Sequence, residues 1–126
     1  MITAVHFLLY SKDPDADRAF FRDVLKWKSV DVGHNWLIFR LPPAEIAVHP
    51  GSGDFVQQHG DSSLLGTVLY LMCDDLAPAM RQMEAHGVQC SPVMEADWGS
   101  STTLRLPSGG EIGLYQPTHL TAIDQP

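Results

Sequence analysis

The sequence predicts an α+β fold in which two βαβββ modules join their strands into one cup-shaped mixed sheet with the helices outside. Two observations carry this. The segment Arg40-Leu41-Pro42-Pro43-Ala44-Glu45-Ile46-Ala47-Val48-His49-Pro50 returns, two residues longer, as Arg105-Leu106-Pro107-Ser108-Gly109-Gly110-Glu111-Ile112-Gly113-Leu114-Tyr115-Gln116-Pro117. Repetition within a chain marks a repeated structural unit, and two copies fit a two-module domain better than a solenoid. The order strand, helix, three strands also occurs twice along the chain. Together these give a single domain over 1–126, with module one at about 2–50, a connection over 51–66 and module two at about 67–117.

In module one, Ile2 to Tyr10 is rich in β-branched, aromatic and leucyl residues and reads as a strand. Asp13 before Pro14 is an N-cap followed by a first-turn proline. Ala16, Phe20, Phe21, Val24 and Leu25 then recur at helical spacing to about Lys26, with Asp17, Arg18, Arg22 and Asp23 mostly on the opposite face. Lys28 to Val32, Asn35 to Leu41 and Ala44 to His49 read as strands, separated by turns at Gly33-His34-Asn35 and Pro42-Pro43. Residues 51–66 hold few apolar side chains and read as a linker.

In module two, Thr67 to Cys73 is a strand, and Asp74-Asp75 cap a helix containing Leu76, Met80, Met83 and Ala85. Gly87 is placed to close that helix. Val88 to Val93, Ser101 to Leu106 and Glu111 to Gln116 are the remaining strands. The tail after Pro117 reads as irregular. Two such halves related by a pseudo-twofold make a concave sheet face, a natural small-molecule pocket.

Composition narrows the function. With 126 residues the chain buries a sizeable core, and 44% hydrophobic with 18% charged residues is ordinary for a globular domain. A net charge of −7 argues against nucleic acid, whose phosphates require a basic surface. No apolar run reaches membrane-spanning length, and no basic region precedes an apolar stretch at the N-terminus. Cys73 and Cys90 lie outside any CxxC pattern and suit free thiols in a cytoplasmic protein. No GxSxG elbow is present, and Pro107-Ser108-Gly109-Gly110 joins two strands instead of opening a helix, so it is a hairpin turn and not a phosphate loop.

Two segments carry a resemblance. His6-Phe7-Leu8-Leu9-Tyr10-Ser11-Lys12-Asp13, continued by Arg18-Ala19-Phe20-Phe21-Arg22-Asp23-Val24-Leu25, resembles the opening histidine strand and "FYRDVLG" helix of the vicinal oxygen chelate superfamily. Leu106 to Pro117 resembles its closing "DPDGNxIELYQ" strand. The superfamily includes glyoxalase I, bleomycin-resistance proteins, extradiol dioxygenases and fosfomycin-resistance enzymes. The resemblance spans roughly Ile2 to Pro117 and implies the fold, and by extension a homodimer, with modules paired within one chain or exchanged between two.

Metal-dependent members take one ligand from the first and one from the last strand of each module. His6, seven residues before Asp13, matches the first place. Thr67, seven before Asp74, stands at the second, and Gly113 and Ala47 stand at the two glutamate places. One imidazole does not hold a catalytic divalent ion. The resemblance therefore implies metal-independent binding of an apolar or aromatic compound, cationic ones included, with no cofactor, as in the bleomycin-resistance branch. His6, Tyr10, Glu45, His49, Thr67 and Glu111 supply polar contacts, and Trp98 and Tyr115 stack on the ligand. No catalytic residue is assigned. Ala47 and Gly113 leave room at the cavity floor. The alternative is a metal-dependent lyase, isomerase or dioxygenase in which His6, His49 and Glu111 hold Fe, Mn, Ni or Zn. Period-two alternation places Glu111, Gly113 and Tyr115 on one strand face, but a two-residue displacement moves a side chain ~6–7 Å along the strand.

Overall fold

The computed structural model describes residues 1–126. Module two has the expected order. Strand β5 (Tyr70–Met72) leads to helix α2 (Leu76–Ala85), then to β6 (Met94–Ala96), β7 (Gly99–Arg105) and β8 (Glu111–Pro117), and the four strands form one sheet in the order β5-β8-β7-β6. β5 runs parallel to β8, and the other pairs are antiparallel. Val88 to Val93 is not a full strand. It makes one bridge, Cys90 to Leu104, and regular pairing begins only at Met94. Helix α2 is capped differently from expectation: the Asp75 side chain makes no capping bond, and the Leu76 N–H donates instead to Gln116 Oε1 at 2.9 Å. An orphan helix donor is thus satisfied from the sheet beneath.

Module one supplies helix α1 (Pro14–Asp23) and an antiparallel pair, β1 (Ser29–Asp31) with β2 (Leu37–Phe39). Asp13 caps α1, its Oδ1 accepting the Ala16 N–H at 3.2 Å. The strands expected at 2–10 and 44–49 are not hydrogen-bonded into any sheet. Residues 1–12 and 41–54 make no backbone–backbone hydrogen bond. The stretch read as a linker contains a hairpin, β3 (Val56–His59) with β4 (Ser62–Leu65). Gln57, Gln58, Ser62 and Ser63 obscure it, because strand signals rest on apolar alternation.

The buried cluster is Phe20 and Phe21 of α1, Leu76 of α2, Val88, Leu106, Leu104 of β7, and Ile112 and Leu114 of β8. Helix α1 therefore packs with α2 against module two's sheet. Phe21 stacks on Trp27 at 5.2 Å between centroids and meets Phe39 edge-on at 5.6 Å, which ties β2 to the same core. Asp17, assigned from periodicity to the charged face, is buried at 6% exposure. Its neighbours supply the reason: Ser11 Oγ donates to one carboxylate oxygen at 2.7 Å and the Ser108 N–H to the other at 3.0 Å. No helix is long and apolar enough to cross a membrane.

Candidate functional site

Side chains alternate across β8, so Ile112 and Leu114 enter the core while Glu111, Gly113 and Tyr115 occupy the opposite face. Register adds neighbours to that second face. Tyr70 pairs with Gly113, Met72 with Tyr115, and Thr103 and Ser101 of β7 flank the same two residues. The turn between β6 and β7 is Asp97-Trp98, and it sets Trp98 beside this face.

Three rings meet there edge to face. Centroids lie 6.1 Å apart for Tyr70 and Trp98, 5.5 Å for Tyr70 and Tyr115, and 5.4 Å for Trp98 and Tyr115. Such T-shaped packing is the favoured aromatic geometry. Tyr70 and Trp98 remain 43% and 44% exposed, so the cluster presents an open π-surface. Gly113 lies directly under the Tyr70 ring, where a Cβ would collide with ring carbons. The room that glycine was expected to leave at the cavity floor is filled by this tyrosine.

His119 completes the cluster. Its Nδ1 donates to the Leu120 carbonyl at 2.7 Å, which leaves Nε2 as an acceptor, and the Tyr115 hydroxyl donates to it at 3.2 Å. Burial, with the Glu45 carboxylate as a smaller contributor, raises the Tyr115 pKa above the ordinary phenol value, so this hydroxyl keeps its proton at neutral pH. Glu45 reaches this region from module one and accepts the Ala122 N–H of the C-terminal tail at 3.2 Å.

Of the residues singled out from the sequence, the structure thus brings together Trp98, Tyr115 and Glu45. Tyr10 lies elsewhere, its hydroxyl hydrogen-bonded to His59 Nδ1. His6 is exposed in the unpaired N-terminal segment, and Thr67 is exposed just ahead of β5. His49 is exposed, with Nδ1 2.7 Å from the Pro50 carbonyl. Glu111 is exposed at the start of β8, opposite Arg105. No three His, Cys, Asp or Glu side chains converge at metal-binding separation, so His6, His49 and Glu111 of one chain do not form a fitting ligand set.

Sequence reasoning missed Tyr70 and His119. Tyr70 had a signal, since an aromatic residue packing over a cross-strand glycine is a recurrent sheet device. His119 had none, lying in a tail without periodicity. An open groove of about 600 Å³ runs along α1 and the turn after α2, lined by Ala16, Ala19, Val24, His86 and Arg105 among others. It contains none of the aromatic cluster and belongs to the helix side.

No family model and no curated protein sequence matches the chain. Solved structures do. The antibiotic-binding protein TnmS3 from Streptomyces sp. CB03234 superposes with a TM-score of 0.60 at 19% identity, covering 93% of this chain and 98% of that one. Lactoylglutathione lyase from Agrobacterium tumefaciens gives 0.61 at 19% identity, covering 91% and 94%. The fosfomycin-resistance protein FosX from Listeria monocytogenes gives 0.55 at 15% identity, covering 94% and 96%. The element order of module two, the helix-backed sheet and these likenesses agree that the chain has the vicinal oxygen chelate fold, shared by the glyoxalase, bleomycin-resistance and fosfomycin-resistance proteins.

Proposed function

We propose that this protein binds a small organic molecule, without a metal ion, against the aromatic face of the β5–β8 sheet, and does so as a homodimer. The single observation that carries the reading is the Tyr70–Trp98–Tyr115 cluster, three rings held edge to face with Tyr70 and Trp98 nearly half exposed. A planar apolar or aromatic ligand gains both buried area and ring contacts there. The Tyr115 hydroxyl and Glu45 supply a polar edge, and Glu45 favours a cationic group. The net charge of −7 draws a cation in, more strongly at low salt. The likeness in fold to an antibiotic-binding protein supports the same class of ligand.

Titration with planar aromatic compounds, cationic and neutral, tests this by quenching of Trp98 fluorescence and by thermal shift. At a hundredfold excess over Kd, a ligand is expected to stabilise the fold by ~2.7 kcal/mol. Near-stoichiometric Fe, Mn, Ni or Zn in protein purified without chelators, lost in His6→Ala, would replace this reading with the metal-dependent one. Absence of any shift across both ligand classes would remove it.

A further inference from the structure

The C-terminal tail does not run off into solvent after β8. Its root is fixed: the Thr118 N–H donates to the Trp98 carbonyl at 3.0 Å, and the Thr118 hydroxyl donates to the Asp97 carbonyl at 2.9 Å. These two bonds to the β6–β7 turn fold the tail back toward the aromatic rings. His119 then meets Tyr115, with centroids 6.0 Å apart and planes inclined by 30°. Tyr70 and Trp98 stand nearly perpendicular to the same ring, at 86° and 76°. Beyond it, Ala122–Asp124 form one short helical turn, closed by the Gln125 N–H on the Ala122 carbonyl at 3.1 Å. The Ala122 N–H has no partner within that turn and donates to Glu45 Oε1 at 3.2 Å.

The tail therefore presents two things to the ligand face. One is a planar nitrogen heteroaromatic ring whose acceptor Nε2 takes the Tyr115 hydroxyl proton at 3.2 Å. The other is an N–H for Glu45. The Tyr115 hydroxyl and the Glu45 carboxylate are the polar edge of this face, so both of its polar groups are engaged by the chain itself.

Little else holds the tail down past Thr118. None of its side chains is buried, and Leu120 is 92% exposed. Glu45 lies in the 41–54 stretch, which makes no backbone–backbone hydrogen bond, so the carboxylate is free to follow a new partner. Segments with few buried contacts open locally at low cost. The root at Thr118 is independent of both contacts and remains when they exchange.

We infer that residues 119–122 are an internal competitor seated on the polar edge of the aromatic face, and that the ligand they mimic is a planar nitrogen heteroaromatic carrying an N–H donor. Its ring nitrogen replaces His119 Nε2 at the Tyr115 hydroxyl, and its N–H replaces that of Ala122 at Glu45. This inference rests on the reading of the face as a binding site. Exchange of equivalent contacts explains why the tail holds without burial, and it lowers the apparent affinity by the fraction of molecules in which the tail is seated.

Calorimetric titration of the full chain with naphthalene, quinoline and 3-aminoquinoline tests this. The three are bicyclic, nearly equal in size and uncharged at neutral pH; they carry neither group, the acceptor alone, and both. Affinity is expected to rise in that order. Ala122→Pro removes the N–H given to Glu45; proline suits the first position of a helical turn, and Thr121 already has the extended backbone, φ −103° and ψ 141°, that a following proline requires. It is expected to tighten 3-aminoquinoline by roughly three- to tenfold, the value of one competing hydrogen bond, and to leave naphthalene unchanged. His119→Ala is expected to tighten both nitrogen ligands, and Leu120→Ala, exposed on the same tail, none. Binding to the parent chain with no gain in Ala122→Pro or His119→Ala, or with a loss in both, overturns the competitor and leaves the binding reading standing. Binding seen only in those two variants supports both. No binding of any probe to any of the proteins sinks the binding reading and the competitor with it.

Discussion

The Asp17 carboxylate accepts the Ser108 backbone N–H at 3.0 Å, joining helix α1 to the turn between β7 and β8. The two residues belong to different modules. Ser11 Oγ holds the second carboxylate oxygen at 2.7 Å, so both oxygens of a buried acid are satisfied. Hydrogen bonds to a charged group contribute about 1.5–3 kcal/mol, and an orphaned buried donor costs more than the bond gained.

Asp17→Ala is therefore expected to destabilise the fold by about 2–3 kcal/mol, through the lost acceptor and the unpaired Ser108 N–H. Asp17→Asn keeps one carbonyl acceptor for Ser108 and is expected to lose less. Denaturant melts give both values, and Asp15→Ala provides the exposed comparison on the same helix. Equal losses for Asp17 and Asp15 would show that the cross-module bond contributes nothing.

Much of the fold is legible in the sequence because its signals are local. Asp13-Pro14 marks the start of α1, and alternation in 111–117 marks β8 and its two faces. What is not legible is non-local. Helical periodicity places Asp17 on the polar face, and only the approach of Ser108 explains its burial. The composition of 2–10 asks for a strand, and whether that strand finds a partner depends on an edge distant in sequence. The aromatic site divides along the same line. Trp98 and Tyr115 stand out as aromatic residues beside strand ends, whereas the role of Tyr70 depends on its register with Gly113.

That register is itself testable. Any side chain at Gly113 drives into the Tyr70 ring, so Gly113→Ala is expected to cost about 1–3 kcal/mol as overpacking and to displace Tyr70 from Trp98 and Tyr115. Removing the ring first removes the conflict: in a Tyr70→Ala background the same substitution is expected to cost far less. A double-mutant cycle by chemical denaturation reads the coupling directly. Additive costs would mean that the glycine is required for something other than the tyrosine.

The two thiols give a pH-dependent readout. Burial, then the neighbouring Asp74, raises the Cys73 pKa above the ordinary thiol value, and burial, then Glu84, does the same for Cys90. The thiolate is the reactive form. Alkylation of the native protein is therefore expected to be slow at neutral pH and to reach half its limiting rate at a pH above that of the unfolded chain. The sign for stability follows. The folded state holds these protons to higher pH than the unfolded state, so their contribution is full below the unfolded thiol pKa and declines as pH rises through the folded one. Alkylation–pH profiles of Cys73→Ser and Cys90→Ser separate the two sites, and a profile matching the unfolded chain would refute the shift.

Trp98 is where the binding reading is most exposed to failure. Its ring meets both tyrosines edge-on and keeps nearly half its surface open, so it is arranged to take a ligand on that open surface. Its backbone carbonyl accepts the Thr118 N–H at 3.0 Å, a bond that truncation of the side chain leaves in place. Trp98→Ala is therefore expected to leave the core intact and to weaken binding of planar aromatics by roughly two- to tenfold, the value of an aromatic contact worth about 0.5–1.5 kcal/mol. Trp98→Phe keeps a π-face and is expected to restore most of that loss, while Trp36→Phe is expected to leave binding unchanged, because Trp36 stacks against Arg18 instead. Calorimetric titration of the three variants against one ligand reads these differences. Equal affinity for Trp98→Ala and the parent protein would move the site off this face of the sheet.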